Sequence, residues 1–221
     1  MPRPRRPAAS PDSRARILAA AAAEFADRGF AGAGVDRIAR RARVNKAMIY
    51  YHFKSKAALY RNVIHEMVRT TGERVRAILA GPGTSIDKIR AFADAVVEEA
   101  DRRPHFPRIM MREMAEQGRH LDKETFALIQ GLPRAMRLIV HEHDGPSPRP
   151  DPQLVYFSLI GPLLFYMGSG PVRARMARQG LPEMDGPDLA GFARHLRDLA
   201  SALLTGLPAA PHRPASAHVE D

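Results

Sequence analysis

In "DSRARILAAAAAEFAD" the apolar side chains of Ile17, Ala21 and Phe25 return every fourth residue, which places them on one face of a helix. That helix is expected from about Asp12 or Ser13 to Asp27, with Gly29 to stop it. The next stretch, "VDRIARRA", puts Val35, Ile38, Ala39 and Ala42 inward and Arg37, Arg40 and Arg41 outward. A tight break at Arg43 and Val44 follows. Asn45 is suited to cap a third short helix, Lys46 to Phe53, anchored by Ile49 and Phe53 four residues apart. Ser55 is suited to cap a fourth, Lys56 to about Leu79.

The rest of the chain keeps the same period. Helices are expected from Ser85 to Arg102, Phe106 to about Gln117, Lys123 to His143 with a break at Pro133, Gln153 to Met167 with an interruption at Gly161 and Pro162, and Asp188 to Leu204. Strictly alternating β-branched runs are absent from the sequence. The pattern predicts an all-α protein of about nine helices. A three-helix N-terminal domain (residues 12–57) precedes a larger helical domain (58–207). A basic flexible arm (1–11) and a disordered tail (208–221) are expected to flank them.

Charge sharpens the division. The 221-residue chain carries a net +10, and residues 1–61 hold 14 Lys and Arg against 4 Asp and Glu, so the whole excess lies in the first quarter. A localised basic segment is the electrostatic footprint of a polyanion-binding module. Arg3, Arg5 and Arg6 of the arm are placed to enter a minor groove or simply to solubilise the chain. Cysteine is absent, which excludes disulfides and thiolate chemistry and fits a reducing compartment. No apolar signal core follows the basic N-terminus, and the longest apolar run, Leu154 to Met167, is shorter than the ~18 residues of a membrane span. A cytoplasmic protein is expected, with no membrane partner.

Two short helices joined by a tight turn, behind a longer supporting helix, have the shape of a helix-turn-helix. The detail is more specific. "ILAAAAAEFADRGF" followed by "VDRIARRARVNKAMIYYHFKSKAALY" resembles the N-terminal domain of the TetR family of bacterial transcriptional regulators. The matching positions are Phe25, Gly29 and Phe30, Ile38 and Ala39, Ala42 and Val44, Tyr50 to Phe53, and Lys54 to Lys56. Two positions depart from the family pattern. Gly34 stands where a Ser or Thr hydroxyl usually meets phosphate, and Arg43 stands where the turn usually has Gly.

The resemblance implies a recognition helix at Lys46 to Phe53. Lys46 and Lys56 are expected at phosphates, as are Tyr50, Tyr51 and His52 with polar tips on apolar bodies. Ala47 and Met48 stand where base edges are read. Backbone N–H groups at Gly34 and Val35 and the charge of Arg43 complete the expected DNA-binding set.

In the larger domain, Leu189, Phe192, Leu196, Leu199 and Leu203 are spaced 3, 4, 3 and 4, the seam of a helical bundle. The resemblance implies that these residues, with Tyr156, Leu159 and Leu163 of the preceding apolar helix, form the interface of a homodimer on palindromic double-stranded DNA. The resemblance also implies a pocket for a small hydrophobic effector. Its candidate lining is Met110, Met111, Met114, Phe126, Phe165 and Tyr166, with Arg112, Glu113 and Tyr156 for polar contacts.

The functional expectation is a sequence-specific DNA-binding regulator, a repressor released by a small hydrophobic ligand. The alternative is a helical interaction module that turns its basic face to RNA or an anionic membrane. An enzyme is not expected: no Gly-rich phosphate loop, nucleophile elbow or telling carboxylate pair is present. No cofactor is expected. No metal site is expected either, since His141 and His143 in "HEHD" lie two apart on a helix and point in different directions.

Overall fold

The computed structural model describes residues 11–145, 149–181 and 186–206. The expected tail lies outside these, as does the expected arm except for Pro11, where the first helix already begins. Among the described residues there are eleven helices and no strand. They are α1 (Pro11–Gly32), α2 (Val35–Ala42), α3 (Lys46–Phe53), α4 (Lys56–Ala80), α5 (Ser85–Arg102), α6 (Phe106–Ala115), α7 (Lys123–Ile129), α8 (Gly131–His141), α9 (Pro152–Gly168), α10 (Gly170–Arg178) and α11 (Leu189–Thr205).

The ends of the first four helices follow from single residues. Helical geometry in α1 breaks at Gly29, whose φ of 67° costs little without a Cβ. Asn45 Oδ1 accepts from Ala47 N at 2.9 Å and Ser55 Oγ from Ala58 N at 3.0 Å, so both caps form. Arg43 closes α2 in the left-handed region at φ 54° and ψ 47°.

Three expectations are corrected. The break in the 123–143 segment falls at Gln130, not Pro133; Pro133 lies in the first turn of α8, where a missing N–H costs nothing. α9 runs unbroken through Gly161 and Pro162, because Pro removes only one hydrogen bond while Leu159 and Leu163 on either side are buried. α10 buries no residue, so no apolar face marked it in the sequence. These differences raise the helix count from about nine to eleven.

Two cores form. The first gathers Ile17, Phe25, Ile38, Ile49, Phe53, Leu59, Tyr60 and Ile64, and it also takes Phe106 and Ile109 from α6. The second holds Ile89, Phe92, Val96, Met136, Ile139, Tyr156, Leu159, Leu163, Phe192 and Leu196. α4 belongs to both: Leu59 to Val68 face the first and Val75 the second. Its 25 residues span roughly 37 Å at ~1.5 Å per residue, so it is a strut between the two.

Candidate nucleic-acid interface and effector cavity

α3 is held from beneath by Ile49 and Phe53, which are almost completely buried. That seating turns the opposite side outward. Tyr50 is 43% and Tyr51 57% exposed, beside exposed Lys46 and Ala47. Arg43 is exposed at the start of the turn. Met48 is partly buried against the first core, and Val35 likewise. Lys46 Nζ reaches Asp36 Oδ1 at 2.9 Å, tying α3 to α2, and the hydrogen bond with Asp36 holds its amine above the usual value. Arg40 and Lys54, outside the expected set, are exposed as well. Lys54 Nζ donates to Tyr51 O at 3.2 Å and sits 5.8 Å from the Tyr51 ring centre. The polar face of α2 was the signal for Arg40.

Three of the expected contacts turn inward. His52 Nε2 lies 2.9 Å from Ser13 Oγ at the start of α1. Lys56 Nζ donates to Ala31 O at 3.2 Å and sits 4.8 Å over the Phe30 ring. Burial, followed by the nearby Arg37 charge, pushes the Lys56 amine below its ordinary value. Gly34 N–H donates to Glu24 Oε1 at 3.2 Å. Arg37, expected to point outward, bonds the same oxygen at 2.5 Å and also Gly32 O. Burial raises the Glu24 carboxyl. The bonds from Arg37 and Gly34, with the charges of Arg37 and Arg28, outweigh that and leave it below the usual range. Glu24 thus fixes the angle between α1 and α2.

The basic layer is bolted to α6. Arg112 Nε and Nη2 donate to Ala26 O and Asp27 O, both at 3.3 Å, and so cap α1 where Gly29 breaks it. Arg108 Nη1 pairs with Asp27 Oδ1 at 3.1 Å. Below them Tyr60 Oη donates to the buried Glu113 Oε1 at 2.7 Å, and His120 Nδ1 lies 2.7 Å from the same oxygen. Phe30 and Tyr60 pack edge to face, 5.2 Å between ring centres.

The sequence of this layer matches a known family model. Residues 17–63 match the model of the bacterial regulatory proteins of the tetR family. The chain carries a TetR-type N-terminal domain over these residues. It is 38% identical over 84 residues to the HTH-type transcriptional activator FasR of Mycolicibacterium smegmatis, covering 38% of each chain. Over 106 residues it is 32% identical to the HTH-type transcriptional repressor SCO4008 of Streptomyces coelicolor, covering 48% of this chain and 52% of that protein. The chain therefore matches about half or less of the length of these curated relatives. SCO4942 of Streptomyces coelicolor, assigned as a transcriptional regulator, superposes with a TM-score of 0.62 at 26% identity, over 87% of this chain and 98% of that one. The regulator FadR of Bacillus subtilis, solved with stearoyl-CoA, shares the fold with a TM-score of 0.62 at 16% identity, over 86% of this chain and 98% of its own.

An inner cavity of about 90 Å³ lies between α4, α5, α6, α8 and α9. Val68, Thr71, Phe106, Met110, Tyr156 and Leu163 are among its walls. Of the residues expected to line a pocket, Met110 and Tyr156 reach it; Arg112 turns to α1 instead, and Glu113 to Tyr60 of α4 and His120. Met114 and Phe165 are 56% and 60% exposed. Phe126 is 45% exposed. Tyr166 stacks on Phe192 at 4.1 Å and bonds Pro187 O.

The expected dimer residues divide as well. Tyr156, Leu159, Leu163, Phe192 and Leu196 are buried inside the protomer, while Leu189, Leu199 and Leu203 are half-buried. The apolar face that α9 leaves open carries Leu154 (68% exposed), Phe157 (64%) and Phe165. An all-apolar helix gives no period from which to choose between its faces. Among the described residues no single helix is long and apolar enough to cross a membrane.

Proposed function

We propose that this chain is a ligand-responsive transcriptional repressor that binds palindromic duplex DNA as a homodimer in the cytoplasm, and that it is not an enzyme. One observation carries the reading. Ile49 and Phe53 lock α3 so that Ala47, Tyr50 and Tyr51 stand out together between Arg43 and Lys54. A short helix held this way presents one turn to a major groove while the flanking cations and tyrosines meet the two phosphate walls.

The rest of the account extends from there. The open apolar face of α9 at Leu154, Phe157 and Phe165 supplies the surface for a second copy. The inner cavity supplies a place for a hydrophobic effector. The Arg112 link carries a change in α6 directly to α1, and the Tyr60–Glu113 bond carries it to α4. The mixture of activators and repressors among the relatives leaves the sign of regulation to the coupling, and a ligand that moves α6 away from α1 favours release.

The test is equilibrium binding of the purified chain to duplex DNA, to RNA and to anionic vesicles across a salt series. The account predicts duplex binding that weakens steeply with salt. Binding to RNA or vesicles alone would replace it with an interaction module that uses the same basic face.

A further inference from the structure

A second, larger depression lies outside the inner cavity. It is a groove of about 690 Å³ between α1 and the turn from α5 to α6. One wall is the first helix of the DNA-binding layer, with Ala15, Leu18 and Ala22; the other holds Arg102, Arg103 and His105. Met67 and Phe106 line both the groove and the inner cavity, so two side chains separate them. Met67 is unbranched and can swing aside at low cost.

We propose that this groove is the mouth of the effector site, and that it takes the acidic head group and most of the tail of a single-chain amphiphile, whose tail end reaches past Met67 and Phe106 into the small inner cavity. The inference rests on the ligand-responsive reading above and names the ligand class.

The charges around the groove select that class. Its cations are Arg14, Arg102 and Arg103, with His105 beside them. Its one carboxylate, Glu66, is held 3.0 Å from Arg69. Arg103 is committed to Glu99 and lies 3.4 Å from Thr70 Oγ1. Arg102 is held more loosely, 3.4 Å from Glu99 and 3.8 Å from Glu98, with its side chain 60% exposed. Arg14 donates to neutral Asn62 at 3.1 Å. Arg102 and Arg14 are therefore the cations able to turn toward an anion. A purely apolar ligand would leave these charges unused, and a small anion would leave the apolar floor uncovered. The groove also explains coupling: an occupant lies between α1 and the α5–α6 turn, so it bears directly on the helix that carries α2 and α3.

Calorimetric titration of the full chain with laurate, dodecanol and butyrate, each below its aggregation concentration, tests the proposal. Laurate should bind once per chain, roughly ten-fold or more tighter than dodecanol, and butyrate should give no saturable heat. Arg102→Gln should weaken laurate roughly ten-fold, leave dodecanol unchanged, and leave DNA affinity without ligand unchanged. Equal binding of laurate and dodecanol, no binding of laurate, or an unchanged laurate affinity in Arg102→Gln would each overturn the acidic head-group site. Release of DNA by dodecanol but not laurate would overturn it while keeping the ligand-responsive reading. Absence of DNA binding by the unliganded wild type, measured separately, is the result that removes the regulator itself.

Discussion

Tyr60 Oη and Glu113 Oε1, 53 residues apart in sequence, meet at 2.7 Å and join the DNA-binding layer to α6. Both side chains are buried, so neither has water as an alternative partner. Burial and then the Glu113 bond push the Tyr60 phenol well above its ordinary range, so it stays a donor at any physiological pH. Tyr60→Phe should keep the ring packed against Phe25 and remove only the bond. Urea unfolding should show a loss of about 1–3 kcal/mol. The variant should also respond less to an effector, because α6 and α4 then move more independently.

Arg43 has two opposed effects. Its left-handed backbone costs about 1 kcal/mol in a residue with a Cβ, while its charge stands beside the recognition helix. Arg43→Gly should therefore raise the melting temperature and weaken DNA binding. The plot of log affinity against log salt should lose a slope of about 1 per bound chain. A variant that gains stability with no change in salt slope would place Arg43 away from the phosphates.

Glu24 gives the fold an acid limit. Its carboxyl titrates below the ordinary value in the folded chain, so its contribution is present above the unfolded value of 4.5 and lost as pH falls through the folded one. Stability of the wild type should decline below about pH 4.5, and Glu24→Gln should flatten that part of the profile while lowering stability at pH 7. Chemical unfolding at a series of pH values reads both effects.

The recognition layer was largely legible in the sequence, and the reason is local. Ile49 and Phe53 lie four apart, Asn45 and Ser55 stand just before helices, and Gly29 stands where one must break. Each signal needs only its neighbours. His52 and Lys56 were not legible, because their partners, Ser13 and Ala31, arrive from 39 and 25 residues away. Arg112 looked like a polar group in an apolar pocket until α1 supplied two open carbonyls. On α9 both faces are apolar, so spacing pointed equally to the buried Leu159 and the exposed Phe157.

Phe157 follows from that last point. Glutamate in place of this 64% exposed side chain should leave the protomer folded, since Tyr156 and Leu159 still fill the second core. It should convert a dimer to single chains by light scattering and reduce DNA affinity by the loss of the second recognition helix. Leu159→Glu, by contrast, should prevent folding, because it buries an unpaired charge in that core.

The central claim is that α3 reads DNA through the face bearing Tyr51. It is tested most directly by selecting bound fragments from genomic DNA with the purified wild type and with Tyr51→Ala. The side chain is 57% exposed, so its removal should leave circular dichroism and melting temperature unchanged. The account predicts an enriched palindrome for the wild type and a loss of roughly ten-fold or more in affinity for it in the variant. No enriched palindrome, or an intact variant that binds the same sites with the same affinity, would contradict it.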